Sequence, residues 1–376
     1  MRKLRIAIAA TVHKKVSKDS TGGTEIFAYL LSEELVKRGH DVTLFAASDS
    51  TISCRLIGIE VADKMNTMEQ GERIFYGYQL LAAQKLVLSQ DDFDIIHCNY
   101  FEPFLFTPFS KNIKQPIIYT VHSDLFDTSP WQEVTQKTVK PSDTFTFVAK
   151  HAYDKAILFE NKQYIYNGID TDSFDFSLES DDYLFWLGRV RRKKGMLQAV
   201  QAVAASGKRL ILSGVIDNES EKEFFDTDIA PFIQNHSNIS FIGPSIGAEK
   251  KGLYQKAKGF LFPIMWEEPF GLTMLEAMSC GTPVIAYAQG AVPEVIEDGV
   301  SGFIVNASDS DIRGDFLVKK TGVSGLQEAI QYLYALPEEI YKDMRKNARK
   351  QVEERFSITK MVDAYERLYE TIANNK

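Results

Sequence analysis

Short apolar runs alternate with helical periodicities along this chain, and the alternation runs through two rounds. Leu4–Ala10 reads as a buried strand. Thr24–Arg38 reads as a helix with Ile26, Phe27, Leu30, Leu31 and Leu35 on one face, and Gly39 stands where a C-terminal cap belongs. Val42–Ala47 is the next strand. Strand, loop, helix, strand is the opening of a doubly wound parallel sheet, and Ile95-Ile96-His97 and Ile117–Val121 extend it. A second round starts near residue 180: strand Tyr183–Leu187, helix Gly195–Ser206, strand Arg209–Ser213, then Ile239–Ile242, Phe260–Phe262 and Val284–Tyr287. Between the rounds lies Asn167–Asp182, rich in Asp and Ser. The pattern predicts an α/β fold of two Rossmann-like domains facing each other across a cleft. Two domains suit 376 residues at about 150 each. The expected divisions are 1–168, a linker over 169–182, a second domain over 183–357, and a closing helix over 358–376 that returns to the first domain.

A net charge of −8 argues against a nucleic-acid partner, which would call for a basic surface. Cys54, Cys98 and Cys280 are widely spaced and odd in number, so neither a disulfide framework nor a zinc spacing is present. A reducing cytoplasm is the expected location. The apolar run Ile6–Val12 is broken by His13-Lys14-Lys15 and reads as a buried strand rather than a secretory signal. No run reaches the ~18 apolar residues of a membrane span, which leaves peripheral membrane contact open.

In such sheets ligands sit beyond the carboxyl ends of the strands, so chemistry is sought in the loops there. Thr21-Gly22-Gly23-Thr24-Glu25 follows the first strand. Its glycines permit close backbone approach, and a helix N-terminus offers amides to an anion. The spacing is not that of a dinucleotide fingerprint, and an ordinary tight turn accounts for it equally well. Gly188–Gly195 also joins a strand to a helix and carries Arg189, Arg191, Arg192, Lys193 and Lys194. Cations disfavour a helix start unless an anion compensates, and a diphosphate would do so; a solvated basic loop is the alternative.

Trp266–Glu276 follows a third strand. Pro269 and Gly271 fix a turn, a helix starts at Leu272, and the amides of Phe270, Gly271 and Leu272 become donors. Glu276, one turn inside, could accept from two neighbouring hydroxyls of a ribose, and Glu268 could take a sugar hydroxyl. Either glutamate alone reads as a solvated surface group; together with the glycine turn and the cationic loop they read as a site. His122, after a strand and before Ser123-Asp124, suits a substrate hydroxyl or a buried structural role equally; His97 reads as structural. Four Asp-x-Asp pairs, Asp92/Asp94, Asp170/Asp172, Asp226/Asp228 and Asp309/Asp311, follow no clear strand, and no metal is assigned.

These motifs resemble the retaining glycosyltransferases of family 4, the group 1 class with the GT-B fold. Glu268 and Glu276 stand at that family's glutamate spacing around Pro269-Phe270-Gly271-Leu272. Arg189 with Lys194-Gly195, Gly22-Gly23 with Glu25, Tyr166–Asp170, Gly281-Thr282-Pro283-Val284 and Gly290 with Pro293-Glu294-Val295 match further parts of its pattern.

The resemblance implies a hexose moved from a UDP- or GDP-linked donor to a glycan, lipid-linked or small-molecule acceptor, with no cofactor and no metal. Arg189 and Lys194 would neutralise the diphosphate, Glu276 hold the ribose, and Glu268 orient the sugar. His122 would lie near the transferred group, and Ile242-Gly243-Pro244 would line the base site. Gly22 and Gly23 would complete the donor set, beside the acceptor. The chain departs from the family between Cys54 and Asp91, where it is short, and after Val148, where a serine–glutamate pair is missing. The alternatives are a GT-B sugar-nucleotide epimerase or hydrolase, with Asp124 as its base, and a non-catalytic sugar-nucleotide-binding protein.

Overall fold

The computed structural model describes residues 2–62, 71–100, 102–123 and 129–374. The chain divides into two compact units, Met1–Gly168 with Ser357–Lys376, and Ile169–Phe356. The first holds a seven-stranded parallel sheet of β1 (Arg5–Ala9), β2 (Asp41–Ala46), β3 (Arg55–Gly58), β4 (Ile95–Cys98), β5 (Ile117–Val121), β6 (Thr144–Phe147) and β7 (Lys162–Tyr164), in the order β3-β2-β1-β4-β5-β6-β7. The second holds six parallel strands, β8 (Leu184–Arg189), β9 (Leu210–Val215), β10 (Ile239–Phe241), β11 (Gly259–Phe262), β12 (Val284–Tyr287) and β13 (Gly302–Val305), in the order β10-β9-β8-β11-β12-β13. Helices flank both sheets, and the strands β4, β5, β11 and β12 are buried along their whole length, as the interior of a parallel sheet requires.

The strand β1 lies between β2 and β4 with Ile6, Ala7, Ile8 and Ala9 fully buried. Sequence reasoning did not place β3, β6, β7 or β13. Three of these, β3, β7 and β13, are short edge strands. In β6, Thr-Phe-Thr-Phe, the buried hydroxyl of Thr146 is satisfied inside the sheet, against Thr120 Oγ1 at 2.7 Å. No helix among the described residues is long and apolar enough to cross a membrane.

Residues 169–182, expected as a linker, belong to the second unit. Their polar side chains suggested solvent, but their backbone carbonyls are claimed by two arginines of the helix Glu338–Arg355. Arg349 Nη1 donates to the carbonyls of Thr171 (3.0 Å), Phe174 (2.9 Å) and Ser279 (2.7 Å). Arg345, fully buried, donates from Nε to Ser177 O at 2.7 Å and from its other nitrogens to the carbonyls of Gln255, Ala257 and Cys280.

The closing helix Ile358–Asn374 packs in the first unit through Met361, Val362, Tyr365 and Tyr369. Arg38 pairs with its Asp363 (2.7 Å) and Glu366, and His40 Nε2 lies 2.9 Å from Glu366 Oε1. Deeper in, the His97 ring bridges the hydroxyls of Tyr369 and Thr120, 2.6 Å from each. Burial, with a smaller contribution from His122, pushes the His97 pKa down to about 3, so the ring is neutral. An unfolded chain takes up that proton near pH 6.5. The stability this histidine confers is therefore intact above about 6.5 and is lost progressively as the pH falls towards 3, by up to ~1.4 kcal/mol per pH unit. We expect His97→Asn to flatten the fall of melting temperature between pH 6 and pH 4. A slope equal to that of the parent chain in thermal melts would contradict this.

Candidate active site

Both sheets reverse their strand order once, and in such sheets ligands bind beyond the carboxyl ends of the strands at the reversal. In the second unit the reversal falls between β8 and β11. The loop after β8 is the cationic one, and the loop after β11 carries Glu268. They touch. Gly195 has φ +76°, and a Cβ placed on it would lie 1.8 Å from the Pro263 carbonyl oxygen. The Met265 amide donates to Lys193 O at 2.8 Å. Lys194 Nζ donates to Glu268 Oε2 at 2.9 Å, with both side chains largely shielded. The ammonium groups of Lys193 and Lys194 sit 3.8 and 4.9 Å from the centre of the Trp266 ring.

The five cations of this loop do not act as one anion trap. Arg191 is hydrogen-bonded to Glu221, and Arg192 grips Asp228 with two bonds of 3.1 and 2.7 Å. Burial pushes the Glu221 carboxyl up, but the Asp217 amide and Arg191 outweigh it and hold the group below its ordinary range. These carboxylates arrive from residues 217–228, too far along the chain for local spacing to reveal. Arg189, at the end of β8, stands 3.7 Å from Asp217 Oδ2, beyond hydrogen-bonding distance, and remains partly exposed. Arg189 is thus the loosely paired arginine of this loop, while Lys194 is tied to Glu268 across the reversal and Lys193 is held against Trp266.

The helix Leu272–Ser279 is capped by Gly271 at φ +86°, where a Cβ would press on Met274 Cε at 2.7 Å. Phe270 is buried with its ring edge-on to Phe356 at 5.7 Å, so the turn is anchored from behind while Leu272, at the helix start, stays half-exposed. Glu276 Oε1 accepts from Lys250 Nζ at 2.7 Å. Its carboxylate also neighbours the buried Tyr254 hydroxyl. It adds to the effect of burial on Tyr254, whose phenol is raised well above its usual range. Beyond β10, Ile242 is exposed and Gly243 turns at φ +73°. The Gly243 carbonyl accepts from Gly214 N (3.0 Å) and Ser213 Oγ (2.9 Å). The Lys250 contact and the Ser213–Gly243 bond escaped sequence reasoning, since neither residue belongs to a recognisable pattern.

In the first unit the reversal falls between β1 and β4. Gly22 is the N-cap and Gly23 the first residue of the helix Gly23–Lys37. Glu25 is buried and curls back over the cap: Thr11 Oγ1 donates to its Oε1 at 2.8 Å, and a Cβ on Gly22 would lie 1.8 Å from its Oε2. The missing side chain of Gly22 thus makes room for a carboxylate at the helix start. His122 follows β5, with Nε2 at 3.3 Å from Asn99 Oδ1 and its ring edge-on to Phe27 at 4.7 Å. Burial pushes its pKa down to about 3, so it is a neutral ring able to donate or accept a hydrogen bond. Asn99, buried immediately after β4, is a polar group that sequence reasoning passed over. Asp124 lies outside the described residues. Among the described residues no three His, Cys, Asp or Glu side chains are arranged to hold a metal ion. Three of the Asp-x-Asp aspartates instead pair with arginines: Asp94 with Arg5, Asp228 with Arg192 and Asp311 with Arg313.

Two family models match. The one described as Glycosyl transferases group 1 covers residues 169–351, and the one described as Glycosyltransferase Family 4 covers residues 21–173. The chain belongs to the group 1, family 4 glycosyltransferases, and its fold is GT-B. It is 24% identical to the N-acetyl-alpha-D-glucosaminyl L-malate synthase of Bacillus anthracis, over 97% of each chain. A sucrose-phosphate synthase structure from Thermosynechococcus elongatus superposes with a TM-score of 0.79 at 21% identity, over 100% of both chains. The Anabaena protein HepE, solved in complex with UDP and glucose, gives a TM-score of 0.74 at 17% identity, over 98% of this chain and 99% of that one.

The loop cations differ in their partners: Arg192 pairs with Asp228, away from the glycine-capped turn, and Lys194 with Glu268 in the loop that leads into it. Arg192→Met is expected to leave nucleoside diphosphate affinity within about twofold of the parent, since its two bonds to Asp228 are structural. Lys194→Met is expected to weaken it about 10- to 100-fold, the value of a charge-assisted hydrogen bond. Isothermal titration of both variants checks this, and equal losses would contradict the division.

Proposed function

We propose that this glycosyltransferase is a retaining, metal-independent enzyme that moves a hexose from a UDP- or GDP-linked donor to a glycan, lipid-linked or small-molecule acceptor in the cytoplasm. The observation that carries the reading is the Lys194–Glu268 pair at the β8/β11 reversal, a cation and a carboxylate held 2.9 Å apart. A nucleoside diphosphate sugar presents their complements side by side: an anionic diphosphate for Lys194 and Arg189, and sugar hydroxyls for Glu268. The amides of Phe270, Gly271 and Leu272 serve the phosphates and sugar. The base lies over Ile242 and Gly243. Glu276 accepts from the ribose, with Lys250 keeping the carboxylate in place. HepE, with a similar fold, was solved with UDP and glucose.

In the first unit Gly22 and Gly23 open a helix start to substrate, and His122 is a neutral hydrogen-bonding ring suited to a sugar hydroxyl. In front-face transfer the bond from the anomeric carbon to the phosphate oxygen breaks as a bond to the acceptor oxygen forms on the same face. The acceptor's proton passes to the departing phosphate. The cations at the reversal stabilise that leaving group, which is why no divalent ion is required.

Glu276→Gln is expected to weaken nucleoside diphosphate binding about 10- to 100-fold. Glu268→Gln should leave nucleoside diphosphate binding near normal and weaken the nucleotide sugar. Calorimetry on both variants decides between these roles, and unchanged binding by Glu276→Gln would overturn the ribose assignment. Transfer should also persist in EDTA; its loss, restored by a divalent ion, would overturn metal independence.

A further inference from the structure

The loops that follow β11, β12 and β13 are hydrogen-bonded into one closed ring behind Glu268. Arg313 Nη2 pairs with Glu267 Oε1 at 2.7 Å, and Glu267 Oε2 accepts from the Gly290 amide at 2.9 Å. Gln289, the neighbour of Gly290, donates from Nε2 to Asp311 Oδ2 at 2.7 Å, and Asp311 Oδ1 accepts from Arg313 Nε at 2.8 Å. Arg313 is fixed further by its own amide, which donates to Asn306 Oδ1 at 2.8 Å. The ring presses on the Glu268 backbone: the Ala291 amide donates to Glu268 O at 3.1 Å, and a Cβ on Gly290 would fall 2.1 Å from that same oxygen.

Glu267 and Glu268 are adjacent carboxylates in one loop, and Lys194 pairs with the second of them. A lone surface ion pair contributes little. A closed ring differs in kind, because it fixes where each charge points. With Glu267 drawn back by Arg313 and the Gly290 amide, Glu268 is left as the carboxylate that meets Lys194.

We propose that Arg313 is a positioning residue for the donor sugar: by holding Glu267 in the ring it sets the place of Glu268 and keeps the neighbouring carboxylate from competing for Lys194. The inference rests on the reading of Glu268 as the group that meets the donor sugar. Neither Arg313 nor Glu267 touches the sugar in this scheme; they act through Glu268. The charge-neutral replacement Glu267→Gln should therefore relieve the loss of Arg313, because a side-chain amide at that position still accepts from the Gly290 amide but carries no charge to pair with Lys194.

The test is calorimetry with two probe pairs, UDP with UDP-glucose and GDP with GDP-mannose, on the parent chain and on Arg313→Met, Arg313→Lys, Arg313→Met with Glu267→Gln, and Glu268→Gln. For the pair the parent binds, Arg313→Met should weaken the nucleotide sugar about tenfold and leave the nucleoside diphosphate within about twofold. Arg313→Lys should recover only part of this, since a single ammonium cannot bridge Glu267 and Asp311 with guanidinium geometry. The double variant should recover more than half of the lost affinity on a logarithmic scale. Parent-like binding of the nucleotide sugar by Arg313→Met, an equal loss for both probes, or a double variant as weak as Arg313→Met would each overturn the inference. Glu268→Gln separates the two levels. If it binds the nucleotide sugar normally, the reading of Glu268 falls; if it is impaired while Arg313→Met is not, the inference about Arg313 alone falls. A parent chain that binds neither pair overturns both.

Discussion

The contact between Gly195 and the Pro263 carbonyl is the constraint on which the second unit's site depends. A strand-order reversal by itself only parts two loops. Here the loops are brought back together until a backbone oxygen occupies the space of a Cβ, and that is open only to a residue without one. The consequence is registration. Once Gly195 lies on Pro263, Lys194 and Glu268 fall within hydrogen-bonding distance although 74 residues separate them. Gly271 and Gly290 continue the same device, one letting the helix Leu272–Ser279 start on Phe262 and Met274, the other letting the loop after β12 lie on the Glu268 backbone.

Magnitudes indicate which ion pairs can exchange partners. Arg192 holds Asp228 through two hydrogen bonds, and Arg191 holds a Glu221 that is itself buried. Opening either leaves a carboxylate poorly satisfied. Lys194 and Glu268 share one hydrogen bond and are largely shielded from solvent. In the proposed reading a diphosphate, offering several charge-assisted bonds of roughly 1.5–3 kcal/mol each, draws Lys194 away and leaves Glu268 to sugar hydroxyls. An acidic chain can thus keep a cationic loop without becoming a general anion binder: most of its charge is already committed.

Much of this was legible in the sequence. Strands such as Ile117–Val121 and Val284–Tyr287 were placed to the residue, because a fully buried parallel strand is a short unbroken apolar run. The glycine turns and the Glu268–Glu276 spacing were legible because turn chemistry is local. What escaped were elements whose polar groups are satisfied at long range. Thr144–Phe147 alternates polar and apolar residues and resembles a half-exposed strand, yet is buried, its hydroxyls answered by Thr120 and Asn161. Residues 169–182 look like solvated linker because the arginines that bind their carbonyls lie roughly 170 positions away. The cationic loop looked like one site because Asp217, Glu221 and Asp228 come to it only in the fold.

The two units use the same topological device for different chemistry. In the second, the reversal gathers guanidinium and ammonium groups, carboxylates and a glycine-capped helix start, which suit a charged, chelating ligand. In the first, it gathers the amide of Asn99, a neutral His122 and a Glu25 already engaged by Thr11. Neutral donors and acceptors discriminate by direction rather than by charge, which suits hydroxyl groups. The low pKa of His122 follows from its partial burial: a ring packed on Phe27 and bonded to Asn99 is held in one orientation, and its reduced access to solvent disfavours the charged form. A group built this way serves as a fixed hydrogen-bonding partner and not as a proton reservoir. The proposed front-face transfer is compatible with such a group, since in that scheme the departing phosphate, and not a side chain, takes the acceptor's proton.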